Sequence, residues 1–132
     1  MITVSSIGKV EIVMPLVNSS SKLKNEVVSL GTGSTTIYTV PSNFTSTISL
    51  LALTNIDTSS ARTFDLSYTP QGGSAQQIID AYSIATATNI VYIFDKEKQF
   101  TMNAGDVLSG VGSSADKIIA VLSAEEFFNP AS

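Results

Sequence analysis

The side chains with chemistry to offer are, first, carboxylates: Asp57, Asp65, Asp80, Asp95, Asp106, Asp116, Glu125 and Glu126. Glycoside hydrolysis needs two of them roughly 5–10 Å apart across a cleft, and nothing in their spacing singles out a pair. Asp106 follows Asn103-Ala104-Gly105 and Asp116 follows Gly112-Ser113-Ser114-Ala115. Aspartate at such turns caps local backbone amides. There is no EF-hand spacing, and a calcium site would need Asp57, Asp106 and Asp116 to converge at one end of the fold. Ser21 and Lys24 have the Ser-x-x-Lys spacing, but they lie in a polar stretch with Lys22 beside them. Gly31-Thr32-Gly33-Ser34-Thr35-Thr36 lacks the lysine of a phosphate-binding loop and reads as a flexible joint. With 0 Cys and 0 His in the chain, thiol nucleophiles, imidazole bases and Cys/His metal sites are excluded. No enzyme, catalytic residue, metal or cofactor is expected.

Charge narrows the partners. Seven basic residues face eleven acidic ones, for a net charge of −4 and a pI near 4.5. That balance opposes binding to a phosphate backbone, so no nucleic acid is expected. Arg62 is the one arginine. It opens a strand after a Ser-rich loop and fits a carboxylate partner, an interface anchor or a plain strand-end charge. The longest apolar run, Ile12 to Val17, is interrupted by Pro15, whereas a helical membrane span needs about twenty residues. No membrane partner is expected. The N-terminus shows neither a basic n-region nor a cleavage site, so synthesis in a cytoplasm is expected. The Asn18-Ser19-Ser20 and Asn43-Phe44-Thr45 glycosylation patterns read as chance matches.

These residues need a scaffold, and the pattern makes it β. The chain has 132 residues, 43% hydrophobic and 14% charged, which suits a single domain with its own core. In it 13 Ile, 11 Val and 14 Thr fill 38 positions, and β-branched side chains favour strands. From Arg62 to Thr69, Phe64, Leu66 and Tyr68 alternate with polar residues, the period of a half-buried strand. Pro70-Gln71-Gly72-Gly73 then turns the chain. Phe44 to Ile56 reads as a longer strand, with Ile48, Leu50 and Ala52 on one face and Leu51 and Leu53 on the other. Apolar residues on both faces imply cover on both sides. Further strands are read at 35–40, 90–94, 107–111 and 117–123, and Asp95-Lys96-Glu97-Lys98 as a solvated turn. Strands of this length at this spacing indicate an antiparallel β-sandwich, jelly-roll-like. Three stretches stay open between helix and strand. Leu23, Val27 and Leu30 have helical spacing within 21–30. Ile78, Ile79, Tyr82 and Ala85 have it too, although strand fits better there. Ser123-Ala124-Glu125-Glu126 fits a capping box, or Glu-Glu-Phe-Phe continues the last strand.

The domain begins near Thr35, giving a sandwich over 35–132 and, over 1–34, an extended N-terminal arm or added edge strands. Ile2, Val4, Ile7, Val10 and Ile12 need cover, since burying each is worth about 1.5–3 kcal/mol. Phe127 and Phe128 are adjacent on a strand and point to opposite faces, so both are hard to bury in one small domain. An exposed pair of this kind marks a contact. The candidate interface residues are therefore Ile2, Val4, Ile7, Val10, Ile12, Arg62, Phe127 and Phe128.

Thr35-Thr-Ile-Tyr-Thr-Val-Pro41, the Asn55 loop into Ser60-Ala-Arg-Thr-Phe64, Pro70-Gln-Gly-Gly73, Asn103-Ala-Gly-Asp-Val-Leu108 and Ser123-Ala-Glu-Glu126 follow one another in this order. This succession of turns over about 90 residues resembles the small β-sandwich virion structural proteins of tailed bacteriophages. The resemblance implies a non-enzymatic, oligomeric protein of the capsid decoration or cement type. It implies a place on the capsid surface of the virion, the major capsid protein as partner, and self-association as a homotrimer. A neck, tail or fibre-base component is the alternative. A carbohydrate-binding β-sandwich is a second, weakened by the absence of Trp.

Overall fold

The computed structural model describes residues 3–5, 7–9, 21–86 and 89–130, and in these the chain forms strands and turns without a helix. Strands β1 (Thr3–Ser5) and β2 (Ile7–Lys9) make a two-stranded antiparallel ladder with Val4 opposite Gly8. Next come β3 (Ser21–Ser29), β4 (Thr35–Thr39), β5 (Phe44–Asn55), β6 (Arg62–Thr69) and β7 (Gln76–Ile84). They are followed by β8 (Asn89–Phe94), β9 (Phe100–Met102), β10 (Val107–Gly112) and β11 (Ile118–Phe128). One sheet has the order β3-β11-β5-β8, with β9 also on β5, and the other has the order β4-β10-β6-β7. All pairings are antiparallel. The chain crosses repeatedly between the two sheets, giving the double Greek key of a jelly roll. The expected sandwich is the observed one.

Period two builds the core. In β6, Phe64 and Leu66 point inward and are buried, as their alternation predicts. In β11, Ile118, Ala120, Leu122 and Ala124 form the buried row, and Glu126 continues it. The last strand therefore runs through Glu125-Glu126-Phe127-Phe128, and no helical turn forms there. In β5 the alternation breaks. The register with β11 shifts between Ser123 and Ala124, so that Leu50 faces Ser123 while Ile48 faces Ala124. The shift takes in Ser49 as an extra residue. Ile48 thus joins Leu51 and Leu53 in the core instead of sharing a face with Leu50 and Ala52.

The open assignment at 21–30 resolves as a strand. β3 pairs with β11 from Ser29 opposite Ile119 to Ser21 opposite Phe127 without a shift. The helical spacing of Leu23, Val27 and Leu30 was accidental: two lie on the outer face, and Leu30 points into the core. β3 is thus an edge strand of the sandwich. Gly31 to Ser34 is not a flexible joint either. The amide of Gly31 donates to Thr35 Oγ1 at 3.0 Å, and its carbonyl accepts from the Gly112 amide at 2.8 Å. That loop is a pinned crossing between sheets. β8 and β9 lie end to end along β5, separated by the turn at Asp95. The Asp95 carboxylate accepts from the Glu97 and Lys98 amides.

Candidate functional site

Among the described residues three carboxylates are buried, and each is fully engaged within the fold. Asp57 follows β5 and accepts from the amide and hydroxyl of Ser59, both at 2.9 Å. Its other oxygen accepts from Arg62 Nε at 2.7 Å and lies 2.5 Å from the second guanidinium nitrogen. The Ser59 amide and the Arg62 guanidinium hold its carboxyl well below the usual carboxylate range. Two guanidinium nitrogens thus converge on one carboxylate oxygen in a charge-assisted pair, while Ser59 holds the other oxygen. Of the readings open for Arg62, the structure shows the carboxylate partner. Behind it, buried Asn55 donates to the carbonyls of Ser60, Ile84 and Ala85 and fixes the loop.

At the other end of β6, the Tyr68 hydroxyl donates to Asp106 at 2.5 Å, and the amides of Asn103 and Gln71 donate at 2.9 and 2.8 Å. Burial alone would raise the Asp106 pKa, but these three donors together bring it below the usual value. Tyr68 is pushed up to about 12, mainly by its bond to Asp106. Asp57 and Asp106 thus sit at opposite ends of one strand and do not converge with Asp116 on a common calcium site. The third carboxylate, Glu126, is 1% exposed at the end of the core row of β11. It accepts from Tyr38 at 2.5 Å. Since the phenol has one proton, the Ser46 hydroxyl, 3.0 Å away, donates to the Tyr38 oxygen. Burial, then the Glu126 bond, raises the Tyr38 pKa well above the ordinary value. Lys22 is 3.7 Å from Glu126 and lies over the Phe44 ring at 4.8 Å. None of these carboxylates faces another across a cleft. A cavity of about 210 Å³ is lined by Ser42, Gln71, Ala104 and Gly105. It has no titratable side chain and is smaller than ordinary ligand pockets.

The feature that reaches out of the molecule is the outer face of the β3-β11-β5-β8 sheet. Opposite residues of an antiparallel pair share a face, so the register gives its rows. Val27, Val121, Ala52 and Tyr92 form one row across four strands. Ser29, Ile119, Thr54 and Ile90 form the next. Towards the other end lie Leu50 beside Ser123, then Leu23 beside Glu125, then Phe127. Leu23 and Val27 are 80% and 70% exposed, Ile90 and Tyr92 about half, and Phe127 39%. Glu125 is the one charged side chain on these rows among the described residues. Sequence reasoning saw that β5 is apolar on both faces but missed Leu23, Val27, Ile90 and Tyr92. Their signal was cross-strand, and it becomes visible only when the register is known.

The candidate interface residues divide. Val4 lies in β1 and Ile7 in β2, while Ile2, Val10 and Ile12 lie outside the described residues. Phe127 is on the outer face. Phe128, half exposed, turns to the rim of the core and meets Phe44 edge to face at 5.6 Å. Arg62 is engaged with Asp57, away from this face.

No protein-family model matches the chain, and no curated protein does. Among solved structures, it is similar to a chain described with Bacillus endospore appendages, a family of disulfide-linked pili. The identity is 10%, over 83% of this chain and 87% of that one, with a TM-score of 0.49. It is also similar to a pentameric capsid protein isolated from metagenomic phage sequences. There the identity is 14%, over 81% of this chain and 65% of that one, with a TM-score of 0.40. At these values neither likeness carries a function across. The surface itself has to do so.

Proposed function

We propose that this protein is a non-enzymatic structural protein of a phage virion, a decoration or cement protein on the outer surface of the capsid. In this reading the outer face of the β3-β11-β5-β8 sheet binds the major capsid protein and stabilises the shell. The observation that carries it is that face: sheet-borne, with Leu23, Val27, Ile90, Tyr92 and Phe127 exposed, and charged on the rows of the described residues only at Glu125. A jelly roll serves capsid and lectin domains alike, so the fold does not choose. The face favours protein. Its rows mix aliphatic side chains with Ser21, Asn25, Ser29, Ser123 and Thr54, and Ser123 already donates to Asn25 at 2.6 Å, which leaves few free polar groups to orient a sugar. A rigid sheet loses little conformational entropy on docking, and repetition over a lattice lets modest contacts hold. The resemblance of the turn pattern to that of virion proteins supports the same reading, and the buried carboxylates, each satisfied inside the fold, supply no catalytic pair. Self-association belongs to this reading.

The test is the copy number of this chain in purified particles, by quantitative mass spectrometry against the major shell protein. A number commensurate with the shell lattice is expected. The few copies of a single ring would move the protein to the neck or tail, and absence from particles would overturn the virion reading.

A further inference from the structure

We infer that β3 pairs with β3 of a second copy across a two-fold axis through Asn25, joining the two larger sheets into one continuous sheet. Among the described residues, β3 is hydrogen-bonded on one side only, to β11. The Leu30 amide donates to Ile118 at 2.9 Å. Strand alternation then turns the amides and carbonyls of the even residues of β3 towards β11 and those of the odd ones, with Asn25 at their centre, towards the open edge. An open edge of this kind is a template for another strand, and proteins ordinarily blunt it with bulges, prolines, breaks or unpaired charges, lysine above all; in β3, Lys24 is paired with Glu26. The other edges are blunted in these ways. β7 has two register shifts against β6 and a left-handed Ala81 at φ 50°. β4 has five residues and a shift against β10, and the β8–β9 edge is broken at Asp95. β3 runs nine residues with neither a shift nor a proline.

The sequence of β3 says which strand fits. An isologous contact requires each position to complement its mirror about the axis. About Asn25, Lys24 falls opposite Glu26 of the second copy, and Glu26 opposite its Lys24. One step further, Leu23 falls opposite Val27 of the second copy, and the reverse. The charges meet their opposites twice and the apolar pair meets itself twice, both favourable as cross-strand neighbours. Within one chain Lys24 and Glu26 already lie 3.4 Å apart on the same side, so four charges would form one alternating square. Leu23 and Val27, the most exposed apolar side chains of the described residues, would gain cover and extend the apolar outer face across both copies. This two-fold contact stands in place of the homotrimer that the resemblance implied, and it does not depend on what the outer face docks to.

The test is sedimentation equilibrium of the full chain, free of any particle, so that shell binding does not enter. The wild type forms a dimer at micromolar concentrations. Asn25→Pro removes an amide from the open edge and none from the ladder with β11, and it gives a folded monomer. Lys24→Glu and Glu26→Lys each create two like-charge pairs across the axis and weaken the dimer about tenfold or more. The double substitution K24E/E26K restores wild-type association, and an equimolar mixture of the two single variants forms a heterodimer. If N25P does not fold, the charge reversals decide alone. A monomeric wild type, a trimer, or dimerisation indifferent to the charge reversals overturns the inference.

Discussion

Replacing Tyr38 with Phe removes one oxygen from the core and should cost the protein about 2–3 kcal/mol. Glu126 is 1% exposed, and its donor inside the core is the Tyr38 hydroxyl at 2.5 Å. A hydrogen bond to a charged group contributes roughly 1.5–3 kcal/mol, and leaving the buried partner unsatisfied incurs its full desolvation cost. Lys22 does not compensate. It is 3.7 Å away with its side chain 59% exposed, and ion pairs at such sites are worth less than about 1 kcal/mol. The variant loses a second contact as well, because the Ser46 hydroxyl is left without its acceptor. Urea unfolding is the assay, with a lower midpoint and an unchanged slope. For a chain of this length, Tm should fall by roughly 6–15 °C. The companion Tyr38→Phe/Glu126→Leu removes both partners and should be more stable than Tyr38→Phe alone, since paired apolar replacement is close to neutral. A loss below about 0.5 kcal/mol in the single variant, or a double variant that is worse, refutes the claim that the carboxylate depends on this phenol.

The folded-state pKa of Asp106 lies below its ordinary 3.8, so its contribution is complete above that value and is lost as pH falls through the folded value. Acid unfolding of Asp106→Asn should therefore show a shallower loss of stability below about pH 4 than the wild type. Tyr68 behaves oppositely in pH: its neutral form is favoured by folding, fully so below 10, and that stability is lost as pH rises through about 12. Phenolate absorbance should show a late step that Tyr68→Phe removes. Gly105 has φ 84°, and a Cβ there would run into the Gln71 side chain. Gly105→Ala should thus cost about 1–3 kcal/mol in thermal unfolding. Val121→Lys, on the outer face, should leave the far-UV circular dichroism and the unfolding midpoint nearly unchanged while abolishing capsid binding in a co-sedimentation assay.

The strands that alternate strictly could be read from the chain alone. β6 runs from Arg62 to Thr69 as its period implies, because Phe64, Leu66 and Tyr68 meet one core. β11 was readable further than it was read. Ile118, Ala120, Leu122, Ala124 and Glu126 share parity, and following it would have placed a carboxylate in the core. Its partner Tyr38 was beyond reach, since nothing local connects two residues 88 positions apart. In β5 an extra residue at Ser49 defeated the parity of Ile48, and composition carries no mark of such a shift. β3 misled because Leu23 and Val27 lie on the outer face and Leu30 in the core, a combination that imitates helical spacing. The outer face of the larger sheet was half legible. The two-sided β5 announced that its outside needs cover, but the row from Val27 through Val121 and Ala52 to Tyr92 comes from four strands, and only the pairing order brings it together.

The most direct measurement is hydroxyl-radical footprinting of this chain, free and on the particle. Tyr92 and Phe127 are exposed on the outer face of the larger sheet, and Tyr82, 44% exposed, packs on Phe64 at the open edge of the smaller sheet. If the larger sheet faces the shell, Tyr92 and Phe127 lose reactivity on the particle while Tyr82 keeps its own. Protection of Tyr82 with Tyr92 still reactive would contradict the account.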